Sequence, residues 1–195
     1  MQYKFPVIEN IEQVLPAIAE KPEFIVAERE GYKVVNYMVN KADTFPEVTD
    51  TNSAILRECR GIKFYSDGKI AARPFHKFFN INERAEVSVN NINLVDPHYL
   101  MTKLDGSMIH PILLNGNIRW MSKMGITSVS EQVEYFVQNN TKYVEFAKWC
   151  LSESFTPIFE WCSTKQRIVV HYEEDQLILL AVRHMITGEY VSIYP

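Results

Sequence analysis

Lys103, Asp105 and Gly106 stand in close order within the segment Met101-Thr102-Lys103-Leu104-Asp105-Gly106-Ser107-Met108. A lysine amine ordinarily titrates near ~10.4 and is a poor nucleophile at neutral pH. It becomes a good one where partial burial or a neighbouring cation favours the free amine. Asp105 could orient neighbouring groups or a metal's water shell, and Gly106 lets the backbone approach a ligand closely. Asp-Gly is also a common turn dipeptide, so this stretch, read alone, favours a surface turn.

Further charged residues lie in apolar company. Arg60 opens the run "RGIKFY"; Arg73, His76 and Lys77 are interleaved with Phe75, Phe78 and Phe79; Arg119 and Lys123 occur in "RWMSKMG". Cations alternating with aromatic rings suit phosphate clamping and base stacking. Lysine stems covering the aromatic surface of an ordinary sheet give the same pattern. Glu160 is a lone carboxylate inside "PIFEWC", and strand alternation could turn it to solvent between Phe159 and Trp161.

The elements that must position these residues are mostly strands. "EFIVAERE" and "YKVVNYMV" flank Gly31; "RGIKFY" and "KIAARPF" flank Asp67-Gly68; "SMIHPILL" and "IRWMSK" flank Asn115-Gly116. Each pair predicts an antiparallel hairpin, most strongly where Asp-Gly or Asn-Gly supplies the positive-φ turn positions. Ile11, Val14, Leu15 and Ile18 share one face of a short helix that Glu9 or Asn10 can cap and Pro16 kinks or shortens. Helical spacing returns from Ser128 to Leu151, with a break near Asn139-Asn140. The last third reads as strands "TPIFEWC", "QRIVVHY", "QLILLAVRHM" and "EYVSIY". The fold class expected is α+β: antiparallel sheets with flanking helices.

With 195 residues, 47% of them apolar, the chain can bury a sizeable core in one domain. A formal charge of −4 excludes a global basic field but permits a locally basic cleft. Cys59, Cys150 and Cys162 fit neither a zinc pattern nor a disulfide framework and read as small buried residues of a reducing compartment. No export signal and no run of about 18 apolar residues is visible, so a cytoplasmic protein without a membrane segment is expected.

Taken together, "ECRGIKF", "RPFHKFFNINE", "TKLDGSM", "SKMG", "FEW" followed by "QRIVVHY", and "ILLAVRHMITGEY" closely resemble the phage RNA ligase 1 family in order and spacing. The resemblance runs from about residue 30 onward. It implies an ATP-dependent RNA ligase with a nucleotidyltransferase (ATP-grasp-like ligase) core, using ATP and Mg²⁺ in the cytoplasm, a host bacterium's if phage-encoded. Lys103 matches the family's nucleophile, which forms a lysine-AMP phosphoramidate. AMP then passes to an RNA 5′-phosphate, and an RNA 3′-hydroxyl displaces it, as in resealing cleaved tRNA. Arg60 and Lys77 match positions serving ATP and its phosphates, with Phe79 beside them, and Lys123 matches another essential lysine. Glu160 matches the glutamate of motif III, facing the ribose. Thr102 lies where adenine is read through the backbone, with Asp105 and Gly106 completing the ATP-binding set, and Leu179 or Leu180 would pack on the base.

The resemblance further implies that residues 1–195 are a single adenylation domain, incomplete at its C-terminus. The metal-serving glutamate strand, the K-x-K strand and the helical domain would lie beyond "GEYVSIYP". A C-terminal ligase portion is then an expected partner, as in a split enzyme, with an exposed β edge after Tyr190. A non-catalytic nucleotide- or RNA-binding fragment, or a pseudoenzyme, is the alternative.

Overall fold

A computed structural model describes residues 4–41, 43–166 and 168–193. The predicted hairpins form. Strands β1 (Phe24–Arg29), β2 (Tyr32–Tyr37), β3 (Arg60–Tyr65) and β4 (Ile70–Ala72) make an antiparallel sheet in chain order. A second antiparallel sheet, in the order β6-β5-β7-β8-β9, contains β5 (Ser107–Leu114), β6 (Asn117–Met121), β7 (Phe155–Cys162), β8 (Gln176–His184) and β9 (Tyr190–Val191).

Strand alternation sorts the apolar side chains into three layers. Val35, Ile62 and Phe64 leave the first sheet on one face and pack with Val14, Ile18, Ile55 and Leu56. These last come from the short helices α1 (Leu15–Ile18) and α2 (Thr51–Glu58) and the turn before α1. On the opposite face Tyr32, Val34 and Ala72 meet Ile112, Leu114 and Met121 of the second sheet. The outer face of the second sheet sends Ile109, Trp120, Phe159 and Trp161 against Val133, Val137 and Ala147, on α3 (Ser128–Gln138) and α4 (Thr141–Ser152). The layers therefore run helices, sheet, sheet, helices.

One element gave no sequence signal, and one expected strand does not form. Helix α2 had no visible period over its eight residues, yet Asp50 caps it by accepting from the Ser53 amide at 2.7 Å. "QRIVVHY" forms no strand in its described part, residues 168–172; Gln166 is also irregular, and Arg167 lies outside the described residues. The helical region does break at Asn139-Asn140, giving α3 and α4, and all three cysteines are free and buried.

A buried ionic cluster joins the sheets. Glu58, at the end of α2, accepts from Arg73 Nε at 3.0 Å and Arg183 Nη2 at 2.8 Å, and the side chains of all three have no exposed surface. The arginines also donate to the carbonyls of Pro6, Pro74, Ile186 and Gly188 at 2.6–2.8 Å.

Candidate active site

The Lys103 segment is anchored by its two successors. The Asp105 amide donates to Tyr172 Oη at 2.9 Å, and its carboxylate accepts from the amides of Val169 and Val170, each at 2.6 Å. Those two amides, Val170 first, hold the Asp105 carboxyl below the usual carboxylate range. Asp105 thus ties down the β7–β8 connection by taking the Val169 and Val170 amides, so these two residues form no strand. The Gly106 amide donates to Glu160 Oε1 at 3.0 Å. Glycine serves here for close strand approach, since a Cβ would collide with the Trp161 carbonyl and the Glu160 side chain. Gly106→Ala is expected to force β5 from β7 and cost about 1–3 kcal/mol, read from urea unfolding. Lys103 and Thr102 are exposed on the approach to this junction.

Glu160 does not turn to bulk solvent. It pairs with Met108 on one side and Ile178 on the other, so the three share the face turned toward the first sheet. Burial pushes its carboxyl up, while the Gly106 amide, Lys103 and Arg60 pull it back down. Lys103 and Arg60 therefore both lie within electrostatic reach of this carboxylate. Arg60 Nη1 contacts Met108 Sδ at 3.5 Å, and its guanidinium lies 5.4 Å from the Phe78 ring centre.

Across from Arg60, Lys77 Nζ sits 4.4 Å from the Phe79 ring centre and Lys123 Nζ 4.6 Å from that of Tyr37. Burial and the neighbouring charges of Arg60 and Lys77 lower the Lys123 amine below the ordinary lysine range. Burial lowers Lys77 too, Glu83 opposing and Arg60, Arg57 and Arg84 adding to it. Among the described residues, none of Arg60, Lys77, Lys103 and Lys123 forms an ion pair with a carboxylate. Arg60 thus links two groups: it shares the partly buried Glu160 carboxylate with Lys103, and it lies within electrostatic reach of Lys77 and Lys123. Phe79 also carries the guanidinium groups of Arg57 and Arg84, at 4.5 and 5.0 Å. Neither arginine, nor Tyr37, was marked by its sequence neighbours.

Other candidates go elsewhere. Arg73 is locked onto Glu58, and Arg119 pairs with Glu134 of α3 at 2.7 Å. Leu179 stands opposite Phe159 and packs in the helix-side core, whereas Leu180 falls at the register shift of β8 and Ile178 stands opposite Glu160. His76 is half-buried, with Nδ1 2.9 Å from Tyr190 Oη. Burial, then Arg183, with Glu58 opposing, pushes its imidazole down to about 4. An unfolded histidine takes its proton near ~6.5, so the stability from the neutral ring is full above that pH and lost toward pH 4. Urea midpoints should fall more steeply between pH 6.5 and 4 in the parent than in His76→Asn.

The fold and site define a two-sheet α+β protein with an exposed lysine near cations that make no ion pair among the described residues. An RNA ligase family model matches residues 58–194, and the chain belongs to that family, the phage RNA ligase 1 family. A protein named "Putative RNA ligase" from Thermovibrio ammonificans is 33% identical over 184 residues, covering 93% of this chain and 47% of its own length. The protein named RNA ligase 1 of Bacteriophage TS2126 is 27% identical over 171 residues, covering 83% of this chain and 42% of its own. The chain thus spans under half the length of these curated relatives.

Proposed function

We propose that this chain is the adenylation portion of an ATP-dependent RNA ligase. Lys103 Nζ attacks the α-phosphorus of ATP, a P–N bond forms, the bond to the β-phosphoryl oxygen breaks, and pyrophosphate leaves with the electron pair. The amine loses its proton to solvent. Arg60, Lys77 and Lys123 offset the charge that develops along the triphosphate, fixed in place before the reaction. The cation-bearing ring of Phe79 sets the position of Lys77. Glu160, its Oε1 engaged by the Gly106 amide, keeps Oε2 for a ribose hydroxyl, while Thr102 and Ile178 flank the base.

AMP then passes to an RNA 5′-phosphate, and attack by an RNA 3′-hydroxyl on that phosphate seals the strand and releases AMP. The cleaved ends of a tRNA fit this chemistry. Among the described residues no three His, Cys, Asp or Glu side chains gather to hold a metal ion. Mg²⁺ would enter with the triphosphate, where it would supply charge neutralisation. The sealing steps are assigned to the longer protein. The β8 edge from Gln176 to Ala181 has no strand partner on the side of β9 among the described residues, and a C-terminal ligase portion would pair there. No helix of the described residues is long and apolar enough to cross a membrane; the reaction is placed in the cytoplasm by its substrates.

The observation that carries this reading is Arg60, which forms no ion pair among the described residues and is electrostatically linked to Glu160 on one side and to Lys77 and Lys123 on the other. Incubation with α-labelled ATP and Mg²⁺, denaturation and peptide mapping tests it. The expected result is label on the Lys103 peptide. Nucleotide binding without adduct, even after adding the C-terminal portion of a relative, would leave a binding module and overturn the enzyme reading.

A further inference from the structure

Lys63 lies in the middle of β3 on the face turned to the second sheet, in register with Val34 and Ala72. Its neighbours there are Tyr32, Ile112, Leu114 and Met121, and the residue has no exposed surface. An amine in such a layer is costly unless its hydrogen bonds are made, and an apolar side chain of equal length would avoid the cost. Lys63 has no carboxylate partner among the described residues. Its Nζ meets the carbonyls of Gly61 at 2.9 Å, Ser122 at 3.0 Å and Lys123 at 3.2 Å, and His110 Nε2 at 2.9 Å.

Those carbonyls belong to the two backbone segments that carry cleft cations. Gly61 follows Arg60, adopts φ +83°, and has no Cβ to collide with the Lys123 carbonyl, so β3 and the Lys123 turn touch directly. The turn is closed by paired Ser122 and Gly125 backbone bonds of 2.8 and 3.1 Å. Bringing the oxygens of Gly61 and Lys123 to one buried point is unfavourable unless a donor lies between them. Lys63 is that donor. We infer that Lys63 is a positioning residue: its amine joins the start of β3 to the Ser122–Lys123 turn and so sets the spacing between Arg60 and Lys123. The functional weight of that spacing rests on the proposed role of those cations in holding ATP phosphates.

The test combines Lys63→Met, Lys123→Met and the double variant in the full chain. Adduct formation with labelled ATP gives kcat and KM. Acetylation by acetic anhydride, followed by peptide mass spectrometry, gives the reactivity of the Lys123 amine against the exposed Lys69. The expected result for Lys63→Met is a loss of about tenfold to a hundredfold in kcat/KM, the range for a catalytic group displaced by about an ångström. Its melting temperature should fall, because the Gly61, Ser122 and Lys123 carbonyls lose their shared donor, and Lys123 should acetylate several-fold faster as the turn loosens. The double variant should be no worse than Lys123→Met alone, because Lys63 acts through Lys123.

Losses that multiply in the double variant, or unchanged Lys123 acetylation in Lys63→Met, would overturn the inference. Absence of adduct in the parent chain would sink the adenylation reading instead, and the acetylation arm would still decide the role of Lys63. If Lys63→Met does not fold by circular dichroism, Lys63→Gln, whose two donors sit on a stem one bond shorter, takes its place: smaller losses in the same directions are expected, and losses that multiply in its double variant with Lys123→Met would overturn the inference.

Discussion

Lys103→Arg is expected to lose the denaturation-resistant AMP adduct by more than about 10³-fold, the scale on which removing a nucleophile acts, while its melting temperature stays near the parent's. The side chain is exposed, so the substitution disturbs no packing, and changes at such sites usually stay within about 0.5 kcal/mol. Arginine keeps the positive charge beside Glu160 but offers no free electron pair at neutral pH. The variant thus separates the charge of Lys103 from its nucleophilicity. If Lys103 only attracted phosphate, arginine would serve nearly as well and labelling would survive. Nucleotide affinity provides the internal control: Lys103→Arg should still bind ATP, because Arg60, Lys77 and Lys123 remain. Lys77→Met should instead weaken ATP binding and leave a slow residual adduct, since it removes one of several cations and not the attacking atom.

The hairpins were readable because their turns announce themselves. Asp67-Gly68 and Asn115-Gly116 carry the dipeptides that tight turns require, and both glycines adopt positive φ. Helix α2 was not readable in this way: its eight residues are too few for a period, and its start rests on one Asp50–Ser53 cap. The "RIVV" run has strand composition, but composition cannot reveal that the Val169 and Val170 amides are already taken by a carboxylate 64 and 65 residues earlier in the chain. The candidate site divides in the same way. Lys103, Lys77, Lys123, Arg60 and Glu160 could be named from their segments, and their convergence is a property of the two-sheet packing. Sequence could not separate Arg73 from Lys77: both sit among aromatics, yet Arg73 belongs to a carboxylate in the core. Lys63 gave no signal because a lysine in "RGIKFY" reads as the exposed member of an alternating strand.

Glu58→Gln should be the most destabilising of the conservative substitutions considered. The two arginines that bond it are wholly buried, and the change removes the carboxylate charge that opposes them while keeping the volume. Burial alone would push the Glu58 carboxyl up, but Arg183 and Arg73 outweigh it and hold it below its ordinary value. Breaking such a cluster from one side costs about 3–5 kcal/mol, a large share of the ~5–15 kcal/mol that a domain has. A fall of roughly 10 °C in melting temperature is expected, on the scale of about 2–4 °C per kcal/mol for a chain of this size. The pH dependence follows from the sign of the shift. With the folded value depressed, the contribution is complete above the unfolded carboxyl value near 4.5 and disappears as the pH falls through the folded one. The difference between parent and variant should therefore shrink in acid. Arg183→Met is the discriminating control, because it leaves Glu58 and Arg73 as a neutral pair and should cost less, although it loses the bonds to Pro74 and Gly188. Glu58 lies two residues before Arg60, and Pro74 lies three before Lys77. A cluster that fixes both holds the cleft cations apart at a set distance, so adduct formation in Glu58→Gln should fall even well below its melting temperature. Undiminished labelling in the folded variant would separate the cluster's contribution to stability from any contribution to the site.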